Sequence, residues 1–276
     1  MRPILILGGS GYLGQILYKE LAPYFEVQAT YRHKQQFADN QKFHFFDMEA
    51  EGLTPLLKNL KPKLVIAALR GSFEAQIDTH LELCQYVQKN NCRILFLSSA
   101  NVFDTFRHFP SYEYDKTFSE SVYGKFKIKI ENQIMRLPVG KYVIARIPMV
   151  FGKQAPRLLE FDQAIQNEEA IEVFPNTIIN VNSDSRLSQQ IHYIINQKKT
   201  GIFHLGSADL ISHHEFVQLL LSQRHQKMVR YKQVYTSNHM RYLAVLPKEN
   251  KLPPHLHLSY TDVLDDCRLL NSKKPL

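Results

Sequence analysis

With 276 residues, 44% of them hydrophobic and 22% charged, the chain is long enough for one large globular domain, or one large and one small, around a sizeable core. Its 34 basic and 26 acidic residues give a net charge of +8, which can serve nucleic acid or equally attract a small polyanion such as a dinucleotide or a nucleotide sugar; the charges are dispersed with no basic arm or nucleic-acid motif, so nucleic acid is not expected. No apolar run approaches the roughly 18 residues of a membrane span, and the odd set Cys84, Cys92 and Cys267 forms no C-x-x-C pattern, which argues against a disulfide framework or a zinc site.

PILIL (3–7) is too short for a signal peptide and has neither basic flank nor cleavage site, so a reducing, cytoplasmic setting is expected. From residue 3 to about 150, short β-rich runs alternate with helical patterns. Strands are predicted at 4–7, 25–31, 43–46, 63–69, 93–99 and 142–147, and helices at 13–22, 53–59, 74–90 and 120–137. That alternation predicts an α/β fold, a doubly wound parallel sheet of the Rossmann kind with helices on both faces. Beyond Phe151-Gly152 the pattern loosens into elements at 158–167, 185–197 and 213–224, a strand-like run at 201–206, and an irregular, Pro-rich stretch at 246–260. The expected division is a dinucleotide-binding domain over 1–152 and a smaller, mixed substrate-binding region over 153–276, with elements around 177–206 returning to the first domain.

Gly8-x-x-Gly11-x-x-Gly14 falls between the first strand and the first helix. Glycine lets a pyrophosphate approach the amides of a helix N-terminus, but three glycines can equally be the chemistry of a tight strand-to-helix turn. The spacing is not the common G-x-G-x-x-G. At the end of the second strand stand Tyr31-Arg32-His33-Lys34, with no acid from 27 to 38. A basic residue there accommodates the 2′-phosphate of NADP, where an acid would hold the ribose of NAD. NADP is therefore the expected cofactor, with NAD as second choice and Arg32 as the phosphate ligand.

A Tyr-x-x-x-Lys pair alone says little, because chance gives about one match in a chain with 14 tyrosines. The chain has two, Tyr112/Lys116 and Tyr123/Lys127. The first lies between elements, just after Pro110. The second opens an amphipathic helix whose Val122, Phe126, Ile130 and Ile134 form one row, with Tyr123 and Lys127 on the adjacent row. An ammonium beside a phenol is expected to lower its pKa from about 10 and make Tyr123 a usable acid or base. Ser99 ends a central strand, where ligands bind in open α/β sheets, and its hydroxyl can hold a substrate carbonyl.

Together these stretches resemble the extended short-chain dehydrogenase/reductases, and within them most closely the dTDP-4-dehydrorhamnose reductase branch. Gly8, Gly11 and Gly14, with Tyr12 and Leu13 between them, match the family's glycine motif, and Asp47-Met48 matches its acidic-apolar pair by the adenine. Ala67-Ala68 stands where the fourth strand runs beneath the cofactor. Ser99, three before Val102, falls on the catalytic Ser/Thr position, VFD (102–104) is shared with the reductase branch, and Glu113-x-Asp115 followed by Val122-Tyr123-Gly124 repeats its spacing. Arg146-Ile147-Pro148, with Val150-Phe151-Gly152 after it, resembles the turn beside the nicotinamide.

The resemblance implies a reductase acting on a keto group of a nucleotide-linked sugar, with Ser99, Tyr123 and Lys127 catalytic. It also implies that Tyr123 and Lys127 touch the cofactor, and it allows a homodimer. A nucleotide-sugar epimerase or dehydratase would reuse the same triad. A non-catalytic dinucleotide-binding protein, like the regulatory subunit of methionine adenosyltransferase, would keep similar motifs. The chain departs from the family in having no Asn around Thr79-His80, Arg70 after Ala-Ala-Leu, and Thr105 after Asp104. Twelve histidines, including His213-His214 and His255-x-His257, come with no H-E-x-x-H, and no metal is expected. Arg157, Arg186 and Arg241 are candidate clamps for a substrate diphosphate.

Overall fold

Seven short runs rich in Ile, Leu, Val and Phe pair into one parallel sheet in the computed structural model, which describes residues 2–33, 35–106, 108–225 and 228–268. The strands are β1 (Ile4–Leu7), β2 (Val27–Tyr31), β3 (Phe43–Phe45), β4 (Leu64–Ala67), β5 (Arg93–Ser99) and β6 (Tyr142–Ile147), followed by the short β7 (Met149–Phe151), β8 (Ile171–Val173), β9 (Thr177–Ile179) and β10 (Val181–Ser183), and then by β11 (Gly201–His204). The sheet order is β11-β6-β5-β4-β1-β2-β3, so the chain winds outward from β1 in both directions. Helices α1 (Tyr12–Leu21), α2 (Thr54–Leu60), α3 (Phe73–Lys89) and α4 (Val122–Ile134) join the first six strands. After them come α5 (Pro156–Gln166), α6 (Asp184–Asn196), α7 (His213–Ser222) and α8 (Tyr260–Asp266).

Because a strand's side chains alternate in direction, the sheet divides the core in two. Ile4, Ile6, Leu95, Leu97 and Val143 pack with Leu17 and Leu21 of α1 and with Leu187, Ile191 and Ile194 of α6. Leu5, Leu7, Val65, Ile94 and Phe96 pack on the other face with Leu57 of α2, Leu83 and Val87 of α3, and Phe126, Ile130 and Ile134 of α4. All four residues of β1 are fully buried, which explains why it reads as an unbroken apolar run.

A third cluster, including Phe151, Leu158, Ile179, Phe216 and Val263, gathers α5, α7 and α8 around β9. There β9 is flanked by β12 (Ile211–Ser212) and β14 (Arg241–Leu243), β13 (Tyr231–Gln233) pairs with β8, and β10 pairs with β7. The expected elements all form, three strands (4–7, 93–99 and 142–147) with the expected bounds and the others with ends moved by at most three residues. Helix α8, beyond the Pro-rich stretch, is an addition. Its start was signalled by Ser259 and Asp262, which make a reciprocal capping box.

One polar network threads this apolar core. Arg146 of β6 is 2% exposed and Glu131 of α4 is 0% exposed. Their ion pair is 2.7 Å long, with a second bond of 3.0 Å from Arg146 Nε to the other carboxylate oxygen. Ser98 donates its hydroxyl proton to the same carboxylate at 2.5 Å, and Arg146 Nη1 donates to the Glu113 carbonyl at 2.8 Å. The Glu113 carboxylate in turn accepts the backbone N–H groups of Lys248 and Asn250. Breaking one partner of such a buried pair typically costs about 3–5 kcal/mol, because the other charge is left unpaired. Glu131→Leu is therefore expected to lower the free energy of urea unfolding by about that amount, while Glu131→Leu with Arg146→Met loses clearly less. A loss under about 1 kcal/mol in the single variant would contradict this reading of the network.

Candidate active site

The first turn answers the question its glycines raise. Gly8 has φ +79°, and a Cβ there would lie 2.6 Å from the Ala68 carbonyl oxygen of the neighbouring strand end. A Cβ on Gly14 would overlap the Gly8 carbonyl oxygen. Gly8 and Gly14 are thus required by the turn itself, whatever binds beside it. Gly11 differs: it is the N-cap of α1, no side chain caps that helix, and it faces a cleft. In contrast, Ser72, Ser121, Ser183, Ser212 and Ser259 cap α3, α4, α6, α7 and α8 with side-chain oxygens.

The cleft encloses about 550 Å³ at the C-terminal edge of the sheet. Gly11, Tyr12 and Leu13 line it from α1, Ala68 from the end of β4, Ser99 from β5, Tyr123 and Lys127 from α4, and Pro148 from the turn after β6. Ser99 at the end of β5 and the Tyr123/Lys127 pair of α4 therefore face one space. A side chamber of about 390 Å³ shares Ser99, Tyr123, Pro148 and Arg157 with the main cleft and adds Asn101 and Leu243.

Other expected residues lie elsewhere. Gly8, Gly14 and Ala67 do not line the cleft, and Met48 packs against the core cluster on the α2–α3 side of the sheet. Arg32 does not line the cleft; its guanidinium pairs with Asp47 at 3.0 Å and Glu49 at 2.7 Å. Two residues expected to touch the cofactor separately, Arg32 and Asp47, are thus partners of each other. Tyr12 keeps its ring at the cleft, but its hydroxyl donates to Asp184 at 2.7 Å, and burial together with that carboxylate pushes the phenol's pKa up. Of the three candidate arginines, only Arg157 lines the cleft. Arg186 donates to the His255 carbonyl at 2.8 Å and Arg241 to the Asp104 carbonyl at 2.8 Å. Tyr112 lies outside, its ring under Lys248 Nζ.

The entry to α4 is held rigidly. Asp104 accepts hydrogen bonds from the Ser119 hydroxyl at 2.6 Å and the Glu120 amide at 2.9 Å, and Ser121 caps the helix at the Gly124 amide. The aspartate of VFD is thus a structural anchor for the tyrosine's helix. Ser99 Oγ donates to Asn101 Oδ1 at 2.9 Å and accepts from the Asn101 amide at 3.2 Å. Lys127 is 6% exposed, donates to the Leu97 carbonyl at 2.9 Å, and places Nζ 5.7 Å from the centroid of the Tyr123 ring.

Electrostatics here depart from the expectation drawn from the helix rows. Burial raises the Tyr123 pKa, and what opposes it is the hydrogen bond with Ser99 and the charge of Arg70. Lys127 is itself pushed down to about 8 by burial, with Glu131 opposing. A phenol that keeps its proton is suited to act as an acid. Arg70 belongs to the loop after β4, with Leu69, Gly71, Phe73 and Gln76 also lining the cleft. In the sequence Arg70 stands out only as a departure from the family, although its place at the C-terminal edge of a central strand was the available signal for a site residue.

Residues 1–253 match the family described as RmlD substrate binding domain. The chain belongs to that family. Among curated proteins, the match to methionine adenosyltransferase 2 subunit beta of Danio rerio is 24% identical over 164 residues, 55% of this chain and 49% of that protein. The match thus spans about half the length of that relative. Among solved structures, this RmlD-family chain is similar to dTDP-4-dehydrorhamnose reductase from Yersinia enterocolitica, with a TM-score of 0.74 and 17% identity over 97% of this chain and 99% of that one. The Bacillus anthracis dTDP-4-dehydrorhamnose reductase, solved in complex with NADP, gives 0.73 at 19% identity, covering 96% and 97%. UDP-glucuronic acid 4-epimerase from Bacillus cereus, in complex with NAD, gives 0.73 at 15%, covering 96% of both chains. At such identities the likeness is one of fold.

The position of Lys127 has a consequence for stability. Its folded pKa of about 8 is below the 10.5 of a free lysine, so between those values the unfolded chain holds a proton that the folded chain has released. Stability contributed by this group therefore rises with pH across that window. Urea unfolding at pH 7, 9 and 10.5 is expected to show the wild type gaining on Lys127→Met as pH rises, and a constant difference would refute the depressed pKa.

Proposed function

We propose that this protein is an NADP-dependent reductase of a keto group on a nucleotide-linked sugar. The observation that carries this reading is the meeting of Ser99, Tyr123 and Lys127 in one cleft, beside the uncapped N-terminus of α1. First-turn amides and the helix dipole there suit a pyrophosphate. NADPH, when bound, supplies the hydride. Tyr123 donates its hydroxyl proton to the carbonyl oxygen as the carbonyl carbon is reduced, and the phenolate left behind faces the positive charges of Arg70 and Lys127. Ser99 orients the carbonyl by turning its hydroxyl from Asn101 to the substrate, and Lys127 holds the cofactor ribose.

An anionic substrate is supported by Arg157, which stands in the first turn of α5, itself without a side-chain cap. Residues 149–183 and 205–268 would then form the substrate side, and 2–148 with 184–204 the cofactor side. Three buried, unpaired cysteines support a reducing, cytoplasmic setting. A second reading, a dinucleotide-binding regulatory protein, is favoured by the match to the methionine adenosyltransferase subunit. An epimerase or dehydratase with the same triad would be told apart by showing no net consumption of NADPH.

Cofactor choice is the first test. The 2′-phosphate must compete with Asp47 and Glu49 for Arg32, so the NADPH preference should fall near the low end of the range for a charged hydrogen bond, about 10-fold. Fluorescence titration is expected to show that preference in the wild type and its loss in Arg32→Ala. Equal affinities in the wild type would remove the assignment.

The second test separates the two tyrosine–lysine pairs, with dTDP-4-keto-6-deoxysugars as first substrates. Tyr123→Phe is expected to spare NADPH binding and lower kcat about 10²–10⁴-fold, while Tyr112→Phe changes turnover little. The opposite ranking would move the active site, and a wild type that binds but never oxidises NADPH would favour the regulatory reading.

A further inference from the structure

One side chain of the glycine turn reaches across the cleft to the part of the chain that carries α5. Tyr12 is the first residue of α1, and its ring faces the cleft. The same ring packs against the cluster that contains Phe151, Leu158 and Phe216. Its hydroxyl goes further and donates to Oδ2 of Asp184 at 2.7 Å, 172 residues along the chain. Burial first, and then this hydrogen bond, push the phenol's pKa up, so the proton stays on Tyr12 and the bond keeps its direction.

Strand register places the acceptor. β10 runs parallel to β7 with Ser183 beside Phe151, so the next residues, Asp184 and Gly152, come side by side where the two strands end. Their contact is close enough that a Cβ on Gly152 would overlap the Asp184 carboxylate. The other carboxylate oxygen, Oδ1, accepts the Ser185 amide at 2.7 Å and fixes the side chain at the start of α6. From Gly152 the chain turns directly into α5. The Gly152 carbonyl accepts the Ala155 amide at 2.9 Å, and Ala155 is the N-cap of that helix. Pro156, Arg157 and Glu160 of α5 then line the cleft. A continuous path of contacts thus joins the glycine turn to the first turn of α5.

An acid in the first turn of a helix complements the helix dipole, and a buried tyrosine hydroxyl needs a partner. That account covers stability alone. It leaves out that the backbone N–H of Tyr12 is itself among the first-turn amides of α1, the groups suited to a pyrophosphate. We propose that Tyr12 is a positioning residue that couples the two ligands of the cleft: a dinucleotide seated on the α1 amides stills its ring, and the hydroxyl–Asp184 bond then holds Gly152 and the first turn of α5 ready for the diphosphate of the second ligand. This rests on the reading of the cleft as a site for NADPH and a nucleotide-linked sugar. A ligand that orders a segment lowers the ordering cost met by the next one, so the coupling is positive, and by linkage it is reciprocal.

The test is the affinity for dTDP, measured by titration calorimetry with and without saturating NADPH. In the wild type NADPH is expected to tighten dTDP binding about 5- to 20-fold, toward the low end of typical couplings. In Tyr12→Phe, which loses only the hydroxyl, that factor should fall to about one to two. Asp184→Ala should lose it equally, and the double variant should lose no more than either single one. Asp184→Asn, whose amide oxygen still accepts, should keep most of it. A hydroxyl that served packing alone would affect stability and leave the factor unmoved. Wild-type coupling in a folded Tyr12→Phe would therefore overturn the proposal, as would a wild type that binds the two ligands independently.

Hydrogen exchange in the wild type gives a further readout that needs no variant to fold. NADPH alone should slow amide exchange across residues 152–160, and unchanged exchange there would overturn the proposal. A wild type that binds NADPH but not dTDP defeats the substrate reading, and the exchange measurement then decides the role of Tyr12. A wild type that binds no NADPH defeats the cofactor reading and this proposal with it.

Discussion

A guanidinium and a carboxylate, both withdrawn from water, are joined at the centre of the molecule. Taking each charge out of solvent costs several kcal/mol, and the pair tolerates this because its geometry is good and its remaining hydrogen-bonding capacity is met. Arg146 has Glu131, the Glu113 carbonyl and His204 around it, and Glu131 has the Ser98 hydroxyl as well. Each of these groups comes from a different part of the chain. Strand β6, helix α4, strand β5, strand β11 and the 248–250 loop are thereby tied to one point. The same carboxylate lies one helical turn from Lys127 and favours that lysine's charge in an interior that would otherwise neutralise it. The cleft-lining end of α4 depends on a structural ion pair further down the same helix.

Around the cleft, charges divide by role. Arg241 and Arg186 hold backbone carbonyls, and Asp104 fixes the entry to α4. Arg70 and Arg157 face the open space. Tyr123, 39% exposed, is half-shielded and keeps its proton because burial outweighs its polar neighbours. Such a phenol meets what the proposed reaction asks of Tyr123, a proton given to a substrate oxygen and a negative charge then carried beside two cations.

What the sequence made legible follows physical periodicity. Strands buried on both faces read as apolar runs, and the 3.6-residue pattern of α4 separated Tyr123 from Tyr112. The position of Ser99 followed from where ligands sit in open sheets. What stayed hidden depends on contacts between distant residues. Nothing local says that Arg32 turns to Asp47 and Glu49, that Tyr12 gives its hydroxyl to Asp184 from another helix, or that Arg70 bears on Tyr123. The glycine turn was ambiguous for a different reason. Two of its three glycines are needed by the turn's own packing, and that requirement looks the same in sequence as a requirement imposed by a phosphate.

The seventh strand sets a limit on how this chain can be cut or made. β11 is the neighbour of β6, and α6 covers the face that α1 begins. A polypeptide ending near residue 152 would leave the backbone N–H and C=O groups of β6 as an open edge. It would also expose Ile191, Ile194 and Phe203's contacts in the core, a surface that invites association with other chains. During synthesis the sheet stays incomplete until residue 204 has emerged, although its first six strands were made long before. The first 152 residues are therefore no portable module. Grafting, splitting or limited proteolysis between 152 and 201 should release an aggregating fragment.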